Sequence, residues 1–138
     1  MSDQRKETIA AAGAGRMGRG IAVVFAYAGH PVTLVDLKAR EAADAARVRD
    51  EALGEIRQTL SMLAAIGLMG EEAIEPIFAR VSFATATEAA EALGKADVIF
   101  EGVPETMEAK REAFALLSTM ARNDAIIAST TSTMLADE

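Results

Sequence analysis

The sequence predicts an α/β domain in which a parallel sheet is doubly wound, with helices on both faces. Three observations predict it. Short apolar runs alternate with longer helical stretches along the 138 residues, the pattern that gives an α/β layer architecture. A glycine-rich turn joins the first apolar run to the first helical stretch. An acid closes the second run, so strand, helix and strand fit within residues 8–36, the size of a βαβ unit with parallel strands.

Taken in order, residues 8–12 (TIAAA) form a short apolar run that ends in glycines and read as a buried strand. The stretch 16–28 has small and apolar residues all along it and stops at Gly29, as a helix that ends on glycine does. Residues 31–36 (PVTLVD) are β-branched and apolar, a second strand. A long helical stretch follows over residues 39–66. Its Leu53, Ile56, Leu60 and Leu63 recur at three and four residues and share one face, and Gly67 and Gly70 break it. A shorter helix is expected over 71–79, kinked or split by Pro76. Residues 81–84 read as a third strand, 87–93 as a short helix, and 97–103 (DVIFEGV) as a fourth strand that Pro104 ends. Residues 105–121 are a strongly patterned helix with Glu105 and Glu108 in its first turn, where the helix dipole favours acids. Residues 125–129 form a fifth strand that runs into a polar turn at 130–133. There is no internal repeat and no low-complexity linker, so residues 1–138 read as one domain.

Composition narrows the function. Half the chain (51%) is hydrophobic and 25% is charged, which is globular rather than disordered. The absence of cysteine removes disulfides, thiolate catalysis and cysteine-based metal sites, and no metal site is expected. A net charge of -7 argues against nucleic acid, whose phosphates are held by clustered Lys and Arg. The apolar run at 21–28 is far too short to span a bilayer, and residues 1–7 are polar and mixed in charge, unlike a signal peptide. A cytoplasmic location and no membrane partner are expected.

The glycine-rich turn is Gly13-Ala14-Gly15-Arg16-Met17-Gly18. Gly-x-Gly-x-x-Gly alone is a weak signal. Here it follows a strand, opens a helix and is followed 18 residues after Gly18 by Asp36, the context of a Rossmann dinucleotide fingerprint. Gly13 allows the tight turn, Gly15 leaves room for a pyrophosphate against the backbone, and Gly18 lets the helix pack on the strand. The helix N-terminus offers unpaired N–H groups and the positive end of a dipole to the phosphates. Asp36 can accept hydrogen bonds from both hydroxyls of the adenosine ribose and would repel the 2′-phosphate of NADP. Lys38 and Arg40 lie close in sequence and can offset that repulsion, so NAD is favoured over NADP without NADP being excluded. A flavin or the adenosine of a methyl donor fits the same loop.

With these residues in hand, the chain resembles the N-terminal NAD-binding domain of the 3-hydroxyacyl-CoA dehydrogenase family, 3-hydroxybutyryl-CoA dehydrogenases included. Four stretches carry the resemblance: GAGRMGRGIAVVFAYAGHPVTLVD, the long helical insertion between strands two and three, ADVIFEGVPETMEAKREAF, and AIIASTTSTM. The resemblance implies a Rossmann fold, NAD, and oxidation of (3S)-3-hydroxyacyl-CoA to 3-oxoacyl-CoA. It implies that Glu105 and Lys110 line the cofactor and active site, and that Ser132 contacts the substrate oxygen. Thr130 stands where the family has asparagine, one hydroxyl in place of an amide donor and acceptor. The first strand, with three alanines, departs from the larger β-branched residues usual there.

The family's base is a histidine held by a glutamate. The only histidine here is His30, between Gly29 and Pro31 in the turn that feeds strand two, on the edge away from the cofactor. No catalytic residue beyond the Ser132 contact is therefore expected within the chain. It reads as a truncated unit lacking a C-terminal helical domain that completes the acyl-CoA cleft and forms a homodimer. Two other readings stand beside this one. A 3-hydroxyisobutyrate-type β-hydroxyacid dehydrogenase shares the Gly-x-Gly-x-Met-Gly loop, but the long helical segment and the Val103-Pro104-Glu105 turn argue against it. A non-catalytic dinucleotide-binding module is the other.

Overall fold

The structure is a computed structural model that describes residues 6–102 and 107–129. In chain order the elements are β1 (Ile9–Ala12), α1 (Arg16–Tyr27), β2 (Val32–Val35), α2 (Ala42–Ala65), α3 (Ile74–Phe78), β3 (Val81–Ala84), α4 (Ala89–Lys95), β4 (Val98–Glu101), α5 (Met107–Met120) and β5 (Ile126–Ser129). The expected strands all form, each within two residues of its expected bounds among the described residues. The five strands are parallel in the order β3-β2-β1-β4-β5. This is the doubly wound Rossmann arrangement with a long helical insertion between strands two and three.

β1 lies at the centre because it is apolar on both faces. Its four residues are at most 2% exposed. Side chains alternate across a strand, and the two faces bury separate cores. Ile9 and Ala11 pack with Ala22 and Ala26 of α1, Ile56 and Leu60 of α2, and Ile77 of α3. Ala10 and Ala12 pack with Leu93 of α4 and Leu117 of α5. The alanines of β1 are therefore small residues under closely seated helices, not a weakness in the sheet.

The insertion helix buries Val48, Ala52, Ile56 and Leu60 at four-residue spacing, and Leu53 and Leu63 flank that line half-buried. Removing Ile56 and Leu60 from water stabilises the fold by about 2 kcal/mol each. The next segment is split as expected, two residues ahead of Pro76. A 3-10 turn, Glu71–Ala73, leads into α3, and Pro76 occupies its third position, where a first-turn N–H has no helical partner to lose. The short fourth helix starts two residues later than expected, after a 3-10 turn, Ala86–Glu88. Thr85 and Glu88 close a capping box there.

Helix α1 ends through a left-handed glycine. Gly29 has φ +107°, its N–H donates to the Ala26 carbonyl, and the His30 N–H donates to the Phe25 carbonyl. These two bonds satisfy carbonyls the last turn would leave open. The His30 ring stays at this turn, where Nδ1–H donates to the Glu7 carbonyl at 3.0 Å and the ring edge meets Phe25. His30 precedes the N-terminal end of β2, so it lies on the edge of the sheet opposite the glycine turn.

Candidate functional site

The register aligns all five strand ends. Ala12 sits opposite Val35 and Glu101, Val35 opposite Ala84, and Glu101 opposite Ser129. Everything that follows these residues emerges from one edge. The winding reverses between β1 and β4, and ligands of open α/β sheets bind in the crevice at such a switch point. The glycine turn leaves β1 at that crevice. It is stitched to its neighbours by the Gly13 N–H on the Val35 carbonyl (2.8 Å) and the Gly102 N–H on the Ala12 carbonyl (2.9 Å).

The three glycines of the turn do different things. Gly13 has φ +112°, a conformation L side chains rarely adopt. At Gly18 an added Cβ would run into the Gly13 carbonyl oxygen and would stand 3.0 Å from Leu34 Cδ1, so α1 can lie this close to β1 only on a glycine. At Gly15 the backbone is extended (φ -81°, ψ -165°), and an added Cβ would meet no atom of the described residues within 4 Å. None of the described residues requires glycine there. The open space in front of Gly15 is what a phosphate group needs. Gly102 closes the other side of the crevice, where an added Cβ would stand 3.4 Å from Met17 Cγ and 3.5 Å from the Gly18 nitrogen.

The N-terminus of α1 has no side-chain cap and no acid in its first turn, while α2, α3, α4 and α5 carry Asp44, Glu75, Glu91 and Glu108 there. Its N–H groups and dipole are left for an anion. Arg19 holds the turn in place. Its Nε donates to the Ala14 carbonyl (2.9 Å), and its Nη1 pairs with Glu55 of α2 at 2.6 Å, so the insertion helix buttresses the glycine turn.

Asp36 follows β2 at the same edge and is 4% exposed. Its Oδ1 accepts the Lys38 backbone N–H (3.2 Å) and its Oδ2 accepts Arg40 Nε (2.6 Å). Arg40 also reaches Asp44 Oδ2 at 3.3 Å. Hydrogen bonding to Asp36 first, then the charges of Asp36 and Asp44, hold the Arg40 guanidinium above its ordinary pKa. Beside Asp36 opens a cleft of about 410 Å³, lined among others by Lys38, Arg40, Arg49, Thr85 and Thr87. A carboxylate has about four lone-pair sites, so Asp36 keeps acceptor capacity for ribose hydroxyls with both present donors in place. The open space at Gly15, the uncapped helix and this buried carboxylate together fit an adenine dinucleotide.

The remaining expected site residues are placed less fully. Lys110 lies on α5, and Glu105 and Ser132 lie outside the described residues, as does Thr130. Sequence reasoning missed Glu101, a carboxylate at 0% exposure at the end of β4 beside the switch point. An acid inside the otherwise apolar run VIFEGV was the available signal. It also missed Arg19, whose role depends on a partner 36 residues away.

Comparison with known proteins decides the family. The family model for the 3-hydroxyacyl-CoA dehydrogenase NAD-binding domain matches residues 8–138. The chain belongs to that family. A probable 3-hydroxybutyryl-CoA dehydrogenase of Bacillus subtilis (strain 168) is 35% identical over 126 residues, which are 91% of this chain and 40% of that protein. The mitochondrial hydroxyacyl-coenzyme A dehydrogenase of Sus scrofa is 33% identical over 122 residues, 88% of this chain and 38% of that protein. Among solved structures, 3-hydroxybutyryl-CoA dehydrogenase from Escherichia coli K12 superposes with a TM-score of 0.77 at 30% identity, covering 93% of this chain and 25% of that one. The chain thus spans well under half the length of these relatives and corresponds to their NAD-binding domain. NAD is the cofactor of this 3-hydroxyacyl-CoA dehydrogenase domain, and the match favours the family over the 3-hydroxyisobutyrate-type alternative. Among the described residues no cluster of His, Cys, Asp or Glu is arranged to hold a metal, and no helix is long and apolar enough to cross a membrane.

Proposed function

We propose that this chain supplies the cofactor domain for NAD-dependent oxidation of (3S)-3-hydroxyacyl-CoA to 3-oxoacyl-CoA. The observation that carries the reading is the pairing of an open, uncapped glycine turn with Asp36 on one sheet edge, in a chain of this family. The turn from Gly13 through Ala14, Gly15, Arg16 and Met17 to Gly18 would seat the pyrophosphate against the first N–H groups of α1. Asp36 would take the adenosine ribose hydroxyls. Glu105 and Lys110 would line the cofactor and active site and Ser132 would contact the substrate oxygen, roles assigned by resemblance. When bound, NAD supplies the acceptor for the hydride that leaves the substrate carbon.

The hydroxyl proton needs a base within hydrogen-bond reach. His30 is held by Glu7 and Phe25 at the far edge and cannot serve. The base, the acyl-CoA cleft and a homodimer contact are assigned to a helical domain outside these 138 residues. A cytoplasmic location belongs to the same reading, while the pig relative is named mitochondrial.

The test has two arms. Calorimetric titration is expected to show NAD binding to the chain, and assay with 3-hydroxybutyryl-CoA and NAD is expected to show no enzyme-like turnover by it alone. Turnover at an enzyme-like rate would refute the division of labour. The placement of His30 also suits a non-catalytic dinucleotide-binding module. Restoration of activity by a separately made C-terminal half from a relative would decide against the module.

A further inference from the structure

An aspartate after the second strand rejects NADP because its charge opposes the 2′-phosphate. In this chain that charge is already engaged. Arg40 Nε lies 2.6 Å from Asp36 Oδ2, with both side chains largely buried (19% and 5% exposed). The cleft beside them is lined by three cations, Lys38, Arg40 and Arg49, and by one anion, Asp36, in a chain whose net charge is -7. Lys38 Nζ and Arg40 Nη2 make no hydrogen bond to protein among the described residues, so both remain available as donors. Thr85 and Thr87 add hydroxyls at the rim. The other acids nearby are occupied: Asp44 by Arg40 and Arg47, Asp50 by Arg49 Nε at 3.4 Å, and Glu88 by the Thr85 cap. A monoanionic carboxylate pinned by a guanidinium, facing open cationic donors, is an environment that receives a phosphate ester rather than repelling it.

We propose that Arg40 is a specificity-determining residue that neutralises Asp36 and, with Lys38 and Arg49, forms a seat for the 2′-phosphate, so that the chain binds NADP as well as NAD. This rests on the reading that the dinucleotide occupies the crevice at Gly13–Gly18 and Asp36. The test is calorimetric titration of the chain with NAD and NADP in parallel, at low salt and at 0.15 M salt. The unmutated chain is expected to bind NADP within about tenfold of NAD, and Arg40→Met is expected to shift the ratio toward NAD by a further factor of about ten, the size expected for one partly screened charge. Arg40→Lys, which keeps the charge, is expected to hold the ratio within about threefold of the unmutated chain, separating charge from packing. Asp36→Ala is expected to invert the preference. If Arg40→Met fails to fold, the exposed Arg49→Met carries the same test with a smaller shift in the same direction. A ratio unmoved by Arg40→Met and Arg49→Met, with NAD still bound, overturns the proposal and leaves the cofactor site standing. Failure of the unmutated chain to bind either dinucleotide overturns the cofactor site and the proposal with it.

Discussion

Two glycines three residues apart make opposite demands, and alanine at each separates folding from binding. At Gly18 the added Cβ would lie more than an ångström inside the 3.0 Å that real Cβ atoms keep, and the atom it meets is a backbone oxygen of Gly13. Neither side can rotate away. Helix α1 would have to lift off β1, and Ala22 and Ala26, both at 0% exposure, would lose their seat against Ala11. Overpacking of this kind costs about 1–3 kcal/mol when side chains can adjust. With backbone on both sides the upper end applies, about 3 kcal/mol out of a typical 5–15. For a domain of this size that lowers the melting temperature by roughly 10 °C. Gly15→Ala meets none of the described residues and adopts an allowed conformation. Its stability should stay within about 1 kcal/mol of the unmutated chain, with a slight gain from a less flexible unfolded state. Its NAD affinity should fall about tenfold or more, because the methyl occupies the phosphate seat (about 1.4 kcal/mol per tenfold). Urea denaturation and NAD calorimetry on both variants are the assay. A Gly18→Ala chain as stable as the original would refute the close approach of α1 and β1, and a Gly15→Ala chain binding NAD normally would refute the seat.

Three further outcomes are expected. Gly13→Ala places a side chain at φ +112° and should destabilise by about 1–3 kcal/mol, read by denaturation. Leu60→Ala, at a position with 0% exposure, should cost about 2–5 kcal/mol and leave the glycine turn intact, so that NAD affinity changes little while the protein remains folded. The Glu88 carboxyl is held below its ordinary pKa by the Thr85 N–H, then by the Thr85 hydroxyl. A carboxylate whose folded pKa is lowered contributes stability above its unfolded value, about 4.3, and that contribution fades as pH falls through the lowered one. The stability gap between the unmutated chain and Glu88→Ala should therefore be constant near neutrality and close in acid. A gap that widened on acidification would contradict the capping box.

Much of the fold was legible because each strand is a short apolar run between punctuating residues. The βαβ unit announced itself through Gly13–Gly18, Gly29 and Asp36, whose backbone requirements are local. Less legible were features set by packing and by the path of local turns. The face of α2 read from large residues, Leu53, Ile56, Leu60 and Leu63, turned out to be centred on Val48, Ala52, Ile56 and Leu60. Ala52 is too small to register as an anchor, and Leu53 and Leu63 sit at the rim of the buried stripe. The start of α4 was placed two residues early because residues 86–88 form a 3-10 turn, and the Thr85–Glu88 cap was the signal to follow. At the site, the proximity of Lys38 and Arg40 to Asp36 was readable, but the direct Arg40–Asp36 pair was not. That pair depends on the chain turning back between β2 and α2. Glu101 was passed over as part of an apolar strand, though a buried acid at a strand end is the kind of exception that marks a ligand edge.

The central claim is that the C-terminal edge of this sheet, at the β1–β4 switch point, is where NAD sits. Backbone amide NMR shifts recorded during an NAD titration test it most directly. The largest changes are expected at Gly15, Arg16, Met17, Gly18, Asp36 and Gly102, with His30 and the turn before β2 unmoved. Changes concentrated around His30, or none at NAD concentrations that saturate other domains of this family, would contradict it.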